Sequence, residues 1–153
     1  MEALFAALHV VAAVFIIGPM AILPMTGMRA IRAGQGDQVA ALARSTFVFS
    51  LLSLLVVVFG FGILGFTTHD TTVTTPWVLI SLILYVIALA LSLFGVVPAM
   101  RSAAEQLAPA GAPAPAAGAV PETGKAYSRV AMLSGSASLL LVAIVVLMSW
   151  KPG

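Results

Sequence analysis

The sequence is poor in charged residues, and this scarcity excludes an ordinary soluble domain. Only 8% of its 153 residues are Asp, Glu, Lys or Arg, against roughly a quarter in typical soluble domains. The seven Lys and Arg residues give a formal net charge of +2, but they are scattered between apolar runs. Because they form no basic cluster that would neutralise phosphates, the composition also argues against a nucleic-acid-binding protein.

The sequence also contains no cysteine. This absence excludes disulfides, thiolate metal sites, iron–sulfur clusters, c-type haem attachment and a cysteine nucleophile. No Walker loop, GxSxG elbow, HExxH helix or dinucleotide fingerprint is present. The acidic residues fall at predicted helix ends or in loops, where they form no buried carboxylate pair for acid–base chemistry. We therefore expect a non-catalytic protein without a resident cofactor or metal.

The sequence is instead rich in long runs of apolar residues. Apolar residues make up 61% of the chain, and the mean hydropathy is +1.15. The clearest run covers residues 47–66, FVFSLLSLLVVVFGFGILGF, with no charge and no proline. A helix of this length spans roughly 30 Å, which matches the hydrocarbon thickness of a bilayer. The run therefore predicts a membrane-spanning helix.

Three further runs resemble this one, and together they predict a single-domain, all-α, four-helix integral membrane bundle. We place the helices at about residues 3–29, 38–66, 77–100 and 125–150. The chain opens with an acidic residue where a secretory signal would be basic, so we expect the first helix to be retained. Residues 102–124 are rich in Ala and Pro, a composition that predicts a flexible linker between the third and fourth helices.

The cationic residues are unevenly distributed among the predicted connections. Six of the seven lie after the first and third helices: Arg29, Arg32, Arg44, Arg101, Lys125 and Arg129. The positive-inside rule then places these connections, and the linker, in the cytoplasm, and both termini outside. We expect a multi-pass protein of the bacterial plasma (inner) membrane with an N-out, C-out orientation.

Two prolines lie within the first apolar run. Pro19 and Pro24 each remove a backbone donor and crowd the carbonyl four residues earlier, so we predict that helix 1 is kinked or broken there. Interrupted helices form the binding sites of many transporters. A small transporter is therefore one functional alternative, although no inverted repeat is evident.

His9 is the one ionisable residue that we place firmly inside an apolar helix. Such a residue is a functional candidate because keeping it in the membrane costs free energy. It could bind haem, copper or zinc, contact a quinone or a partner subunit, or form an interhelical hydrogen bond. We favour the hydrogen bond because no second histidine, acid or cysteine lies within the four spans. We expect the other histidine, in the pair His69-Asp70, to lie in a solvated loop.

Small residues at helical spacing predict surfaces where helices approach closely. In the second helix they are Gly60, Gly62 and Gly65, and in the fourth they are Ser134, Gly135 and Ser138. Ser134 and Ser138 are four residues apart and therefore share a face. The sequence leaves open whether the partner surface belongs to this chain or to another subunit.

The opening of the chain carries a family resemblance. Residues 8–24, LHVVAAVFIIGPMAILP, followed by a short basic loop, resemble a family of uncharacterised four-helix integral membrane proteins of bacteria. The size, the layout and the Ala- and Pro-rich linker are similar to those of an accessory subunit of unknown function in the actinobacterial cytochrome bcc-aa3 respiratory supercomplex. The opening also resembles copper-resistance membrane proteins and the membrane protoporphyrinogen oxidase, which have further histidines or charged residues within their helices.

The resemblance implies a non-catalytic accessory or assembly subunit of a larger membrane complex. Its partners would be membrane lipids and other membrane subunits, including those of cytochrome bcc and the aa3 oxidase. The alternative is a small haem- or copper-handling membrane protein that uses His9, and the third possibility is the small transporter.

Overall fold

The computed structural model describes residues 1–66, 72–107 and 122–150. Four helices are long and apolar enough to cross a membrane: α1 (Glu2–Arg32), α2 (Gly36–Phe66), α3 (Pro76–Leu107) and α4 (Glu122–Trp150, with Gly124–Trp150 as the candidate span). These described ranges contain no strand. The predicted all-α, four-helix membrane architecture is therefore confirmed.

Helices that follow each other in the sequence pack side by side, and α4 also packs on α1. The turn between α1 and α2 is short because Gly34 adopts a φ of 69°, in the left-handed region that glycine enters without steric cost. Across the diagonal, α1 and α3 meet where the Met100 side chain fills the space beside Gly27. The four helices thus form a closed bundle rather than a flat layer.

The hydrophobic core lies beside the turn between α1 and α2, and all four helices contribute to it. Its buried residues are Ala30, Ile31, Val39, Ala43, Val96, Met100, Ala103, Ala104 and Val130. The small side chains of the alanines allow the helix backbones to approach closely, and Met100 fills the space that remains. This cluster fixes the relative positions of the helices at one end of the bundle.

Each helix also has at least one exposed arginine that is the immediate sequence neighbour of a core residue. These are Arg29 and Arg32 on α1, Arg44 on α2, Arg101 on α3 and Arg129 on α4. We refer to this end of the bundle as the arginine end and to the opposite end, where His9 lies, as the histidine end. Arginines at one level on every helix are typical of a membrane–water boundary, where the side-chain stem lies along apolar surface and the charge reaches water.

The helices pass through their prolines without a break. In α1, a π-helical segment, Ala13–Ile17, ends shortly before Pro19, while Pro24 lies within regular helix. In α3, the π segment Leu91–Val96 ends in the same way before Pro98. A π turn changes which carbonyl each N–H reaches, and so accommodates the missing proline donor. The interruption that suggested a transport site is therefore a continuous helix.

Some helix ends differ from the predicted bounds. Helix α1 continues to Arg32 because the residues before it are buried in the core. Helix α3 continues to Leu107, so residues 102–107, predicted as linker, are helical. This stretch is rich in strong helix formers, and two of its alanines belong to the core. Helix α4 begins at Glu122, and residues 108–121 lie outside the described part of the chain.

Candidate functional site

His9 lies on α1, half-buried against α2. Its Nδ1 atom is 2.8 Å from the backbone oxygen of Val56, so the ring N–H donates a hydrogen bond to that carbonyl. The bond joins two neighbouring helices through residues that are 47 positions apart in the sequence. It satisfies one polar atom of the imidazole at a depth where hydrogen-bonding water is scarce.

Glycines on α2 make room for side chains of α1. A Cβ atom at Gly60 would stand 3.2 Å from Cε1 and 3.3 Å from Nδ1 of His9, so the missing side chain lets the imidazole reach the carbonyl. Gly62 leaves space for the Phe5 ring in the same way. That ring also stacks on Phe66, with 5.2 Å between centroids. Gly60 and Gly62 therefore both make room for side chains of α1 in the same chain.

The hydrogen bond also determines which ring nitrogen of His9 remains available as a metal ligand. When Nδ1 carries the proton in a neutral imidazole, Nε2 has the free lone pair. Metal-binding histidines commonly show this arrangement, in which the second nitrogen donates to a carbonyl. Among the described residues, no group of three or more His, Cys, Asp or Glu side chains could hold a metal ion. The pair His69-Asp70 lies outside those residues.

A second polar contact joins α2 to α3, and the sequence analysis missed it. Ser53 Oγ donates to the Ser50 carbonyl at 2.6 Å and lies 2.7 Å from the Tyr85 hydroxyl. Because the Ser53 proton goes to the carbonyl, the Tyr85 hydroxyl is the donor in the interhelical bond. The Ser50 hydroxyl is fully buried and has no partner in the described structure.

A pattern of side-chain size could have located this interior. The buried positions of α2 recur every three or four residues and carry small or hydroxyl-bearing side chains, apart from the valines: Gly36, Val39, Ala43, Thr46, Ser50, Ser53 and Val56. The exposed positions between residues 51 and 58 are mostly leucines. In a helix that is apolar all round, side-chain size distinguishes the packed face from the lipid face where hydrophobicity does not.

The remaining predicted small residues have different surroundings. Ser134 is buried within the bundle, and Ser138, one turn later, is half-buried. Gly65 and Gly135 are exposed, and a Cβ atom at either would meet nothing within 4 Å. The six predicted small residues therefore form two groups: four that are buried or half-buried within the bundle, and two glycines, Gly65 and Gly135, that face outward.

Aromatic rings contact two cations at the arginine end. The Arg32 guanidinium lies 4.4 Å from the centre of the Tyr127 ring and joins the end of α1 to the start of α4. The Arg101 guanidinium lies 5.5 Å from the centre of the Phe47 ring and joins α3 to α2. These cation–π contacts bring charge and apolar surface together at the boundary level.

Four apolar helices, interhelical hydrogen bonds at depth and a level of arginines define a small four-helix integral membrane protein. More specifically, the chain belongs to DUF2269, a family described as predicted integral membrane proteins, whose profile matches residues 3–152. No curated protein and no solved structure matches the chain. The predicted resemblance to an integral membrane protein family is thus confirmed at that level.

Proposed function

We propose that this protein is a non-catalytic accessory or assembly subunit of a larger complex in the bacterial plasma membrane. The first complex to test is the actinobacterial cytochrome bcc-aa3 respiratory supercomplex, because the size and layout of the chain resemble those of one of its accessory subunits. The interior polar groups described above also support a packing role. His9 and Tyr85 both donate hydrogen bonds to a neighbouring helix of the same chain.

The observation that carries this proposal is an open face of α4. It consists of four exposed residues at helical spacing: Met132, Gly135, Ser136 and Leu139. Met132 and Leu139 are 71% and 72% exposed, whereas Gly135 between them has no side chain. Ser136 Oγ donates to the Met132 carbonyl at 2.9 Å, so its hydroxyl is satisfied within the helix. The face therefore has a shallow notch between two protruding side chains.

A notch of this shape suits another helix. Lipid tails are as apolar as leucine side chains, so helices in a membrane associate mainly through close van der Waals packing, which small residues permit. Ridges of side chains on one helix then fit into the grooves of the other. The partner that we propose for this face is a transmembrane helix of another subunit.

The test is purification of the tagged protein from native membranes in a mild detergent, followed by mass spectrometry and a visible absorption spectrum. We expect cytochrome and oxidase subunits with haem bands in stoichiometric amount. Gly135→Leu should remove most of the partner because it fills the notch, and the open space around Gly135 should leave the fold intact. Gly65→Leu makes the same change at the other outward glycine and should retain the partner. A protein recovered alone would overturn the proposal.

The second candidate function is that of a small haem- or copper-handling membrane protein. The hydrogen bond of His9 favours it, because this bond leaves the lone pair of Nε2 free. The Val56 carbonyl orients the imidazole and leaves Nε2 as the available ligand atom. The measurement is the absorption spectrum and metal content of the purified wild type and of His9→Ala. Tyr85→Phe is the control because it removes another interhelical hydrogen bond and leaves the imidazole of His9 in place. Colour or metal lost only in His9→Ala would support this candidate, and a colourless, metal-free wild type would exclude it.

A further inference from the structure

A groove between α3 and α4 opens at the arginine end. Its volume is about 520 Å³, within the roughly 300–1,000 Å³ of small-molecule sites. The lining includes Ala99, Ser102, Gln106, Lys125, Arg129 and Met132. Lys125 and Arg129 are four residues apart on α4 and therefore share one face. Neither forms an ion pair with any side chain that the structure describes.

The neighbouring groove between α2 and α3 differs in charge. Its volume is about 690 Å³, and its lining includes Arg44 and Arg101 together with Asp37 and Glu105. Two cations and two carboxylates cancel there, whereas the lining of the α3–α4 groove has two cations and no carboxylate among the side chains that the structure describes. Charge complementarity therefore favours an anion in the α3–α4 groove and not in its neighbour.

The α3–α4 groove also changes from polar to apolar along the bundle. Its outer part has the two cations together with hydroxyl and amide groups, and Gln106 Nε2 lies 3.4 Å from Ser102 Oγ. Because α3 runs towards the arginine end and α4 runs away from it, Ala99 and Met132 lie deeper than these polar groups. An anion that continues into a hydrocarbon chain matches this order.

We propose that the α3–α4 groove binds the headgroup of an anionic phospholipid. The phosphate lies between Lys125 and Arg129, the headgroup hydroxyls reach Ser102 and the neighbouring polar groups, and an acyl chain begins along Met132. Basic pockets between transmembrane helices bind such headgroups through the same combination of cations and polar donors. The inference concerns the isolated chain and does not depend on the proposed partner subunit.

The test uses the full-length protein in detergent and counts bound lipids by native mass spectrometry. The probes are dioleoyl phosphatidylglycerol, which is anionic, dioleoyl phosphatidylcholine, which is zwitterionic, and glycerophosphoglycerol, which is the anionic headgroup without chains. The test variant is Lys125→Gln with Arg129→Gln. The control, Arg44→Gln with Arg101→Gln, removes the same number of cations from the other groove. All four side chains are exposed, so we expect both variants to fold with unchanged circular dichroism.

We expect the wild type to prefer phosphatidylglycerol over the other two probes. The test variant should bind it roughly 30-fold more weakly, since each cation near a headgroup contributes about fivefold, and the control should stay close to wild type. Equal binding of both lipids, or equal loss in both variants, would overturn the proposal. Binding of glycerophosphoglycerol as tight as that of the lipid would also overturn it, because the site would then be a phosphate site without a role for the chain.

Discussion

The two ends of the bundle are held together by different interactions. At the arginine end, apolar side chains from all four helices form one buried cluster around Met100. At the histidine end, the contacts between helices include hydrogen bonds to a backbone oxygen and to a side-chain oxygen. His9 bonds to Val56 across α1 and α2, and Tyr85 bonds to Ser53 across α3 and α2.

The difference follows from what surrounds each end. The first part of α2, before residue 47, precedes the long apolar run, so much of the core lies at or beyond the boundary level. Water there drives apolar side chains together. Deeper in the bundle the surrounding lipid is as apolar as the side chains, and association depends on close packing and hydrogen bonds. A bundle that crosses this boundary therefore needs both kinds of contact.

The largest expected effect on stability comes from truncating the Met100 side chain. Met100→Ala should lower the free energy of unfolding by about 2–5 kcal/mol, as for other large-to-small changes in a tight core. Met25 is 57% exposed, so Met25→Ala should change it by less than about 0.5 kcal/mol. Unfolding in mixed detergent micelles followed by circular dichroism measures both. Equal effects would mean that Met100 does not belong to a tightly packed core.

The next effect concerns the serines of α2. Ser53→Ala leaves the buried Tyr85 hydroxyl without its acceptor and should cost about 1–3 kcal/mol of unfolding free energy. Ser50→Ala removes a hydroxyl that has no partner in the described structure, so it should be neutral or stabilising. The same micelle unfolding experiment compares the pair. A larger loss from Ser50→Ala than from Ser53→Ala would contradict the assigned hydrogen bond.

A double-mutant cycle tests the contact between His9 and α2. His9→Ala should cost roughly 0.6–2 kcal/mol, the range for hydrogen bonds between membrane helices. Gly60→Ala should cost a comparable amount because the added Cβ moves the imidazole away from the Val56 carbonyl. The double variant should then be little less stable than His9→Ala alone, since both changes remove the same bond. Strictly additive costs would show that Gly60 acts independently of His9.

The smallest effect is expected at the cation–π contact. Arg32→Gln should lower stability by roughly 0.5–1 kcal/mol because it removes the guanidinium from the Tyr127 ring. Arg29→Gln removes the same charge from a residue of α1 with no aromatic contact in the described structure and should have less effect. The same micelle unfolding experiment compares the two variants. Identical results for both variants would assign the effect to net charge alone.

The sequence was sufficient to predict the four spans because their length and hydrophobicity depend on the membrane alone. It was not sufficient for the interior. The apolar stretch around Tyr85 gives no sign that its hydroxyl faces Ser53, since hydrophobicity hardly varies around such a helix. The sequence also could not predict whether α1 breaks at Pro19 or continues through it, because a π turn and a break both accommodate a missing backbone donor. The end of α3 at Leu107 could not be predicted either, because it depends on the burial of alanines against other helices.

The π segment of α1 determines how this helix responds to a change in chain length. The segment Ala13–Ile17 lies between His9 and the core residues of the same helix. A π turn contains one residue more than the α-helical turn that it replaces, so deleting one residue within it would return the helix to a regular pitch with little rotation of the amino-terminal side. Phe5 and His9 would then stay against α2, while Ala30 and Ile31 kept their places in the core. The chain is therefore more tolerant of a single deletion at residues 13–17 than of a deletion in a regular part of the same helix, where the amino-terminal side would rotate by about 100°.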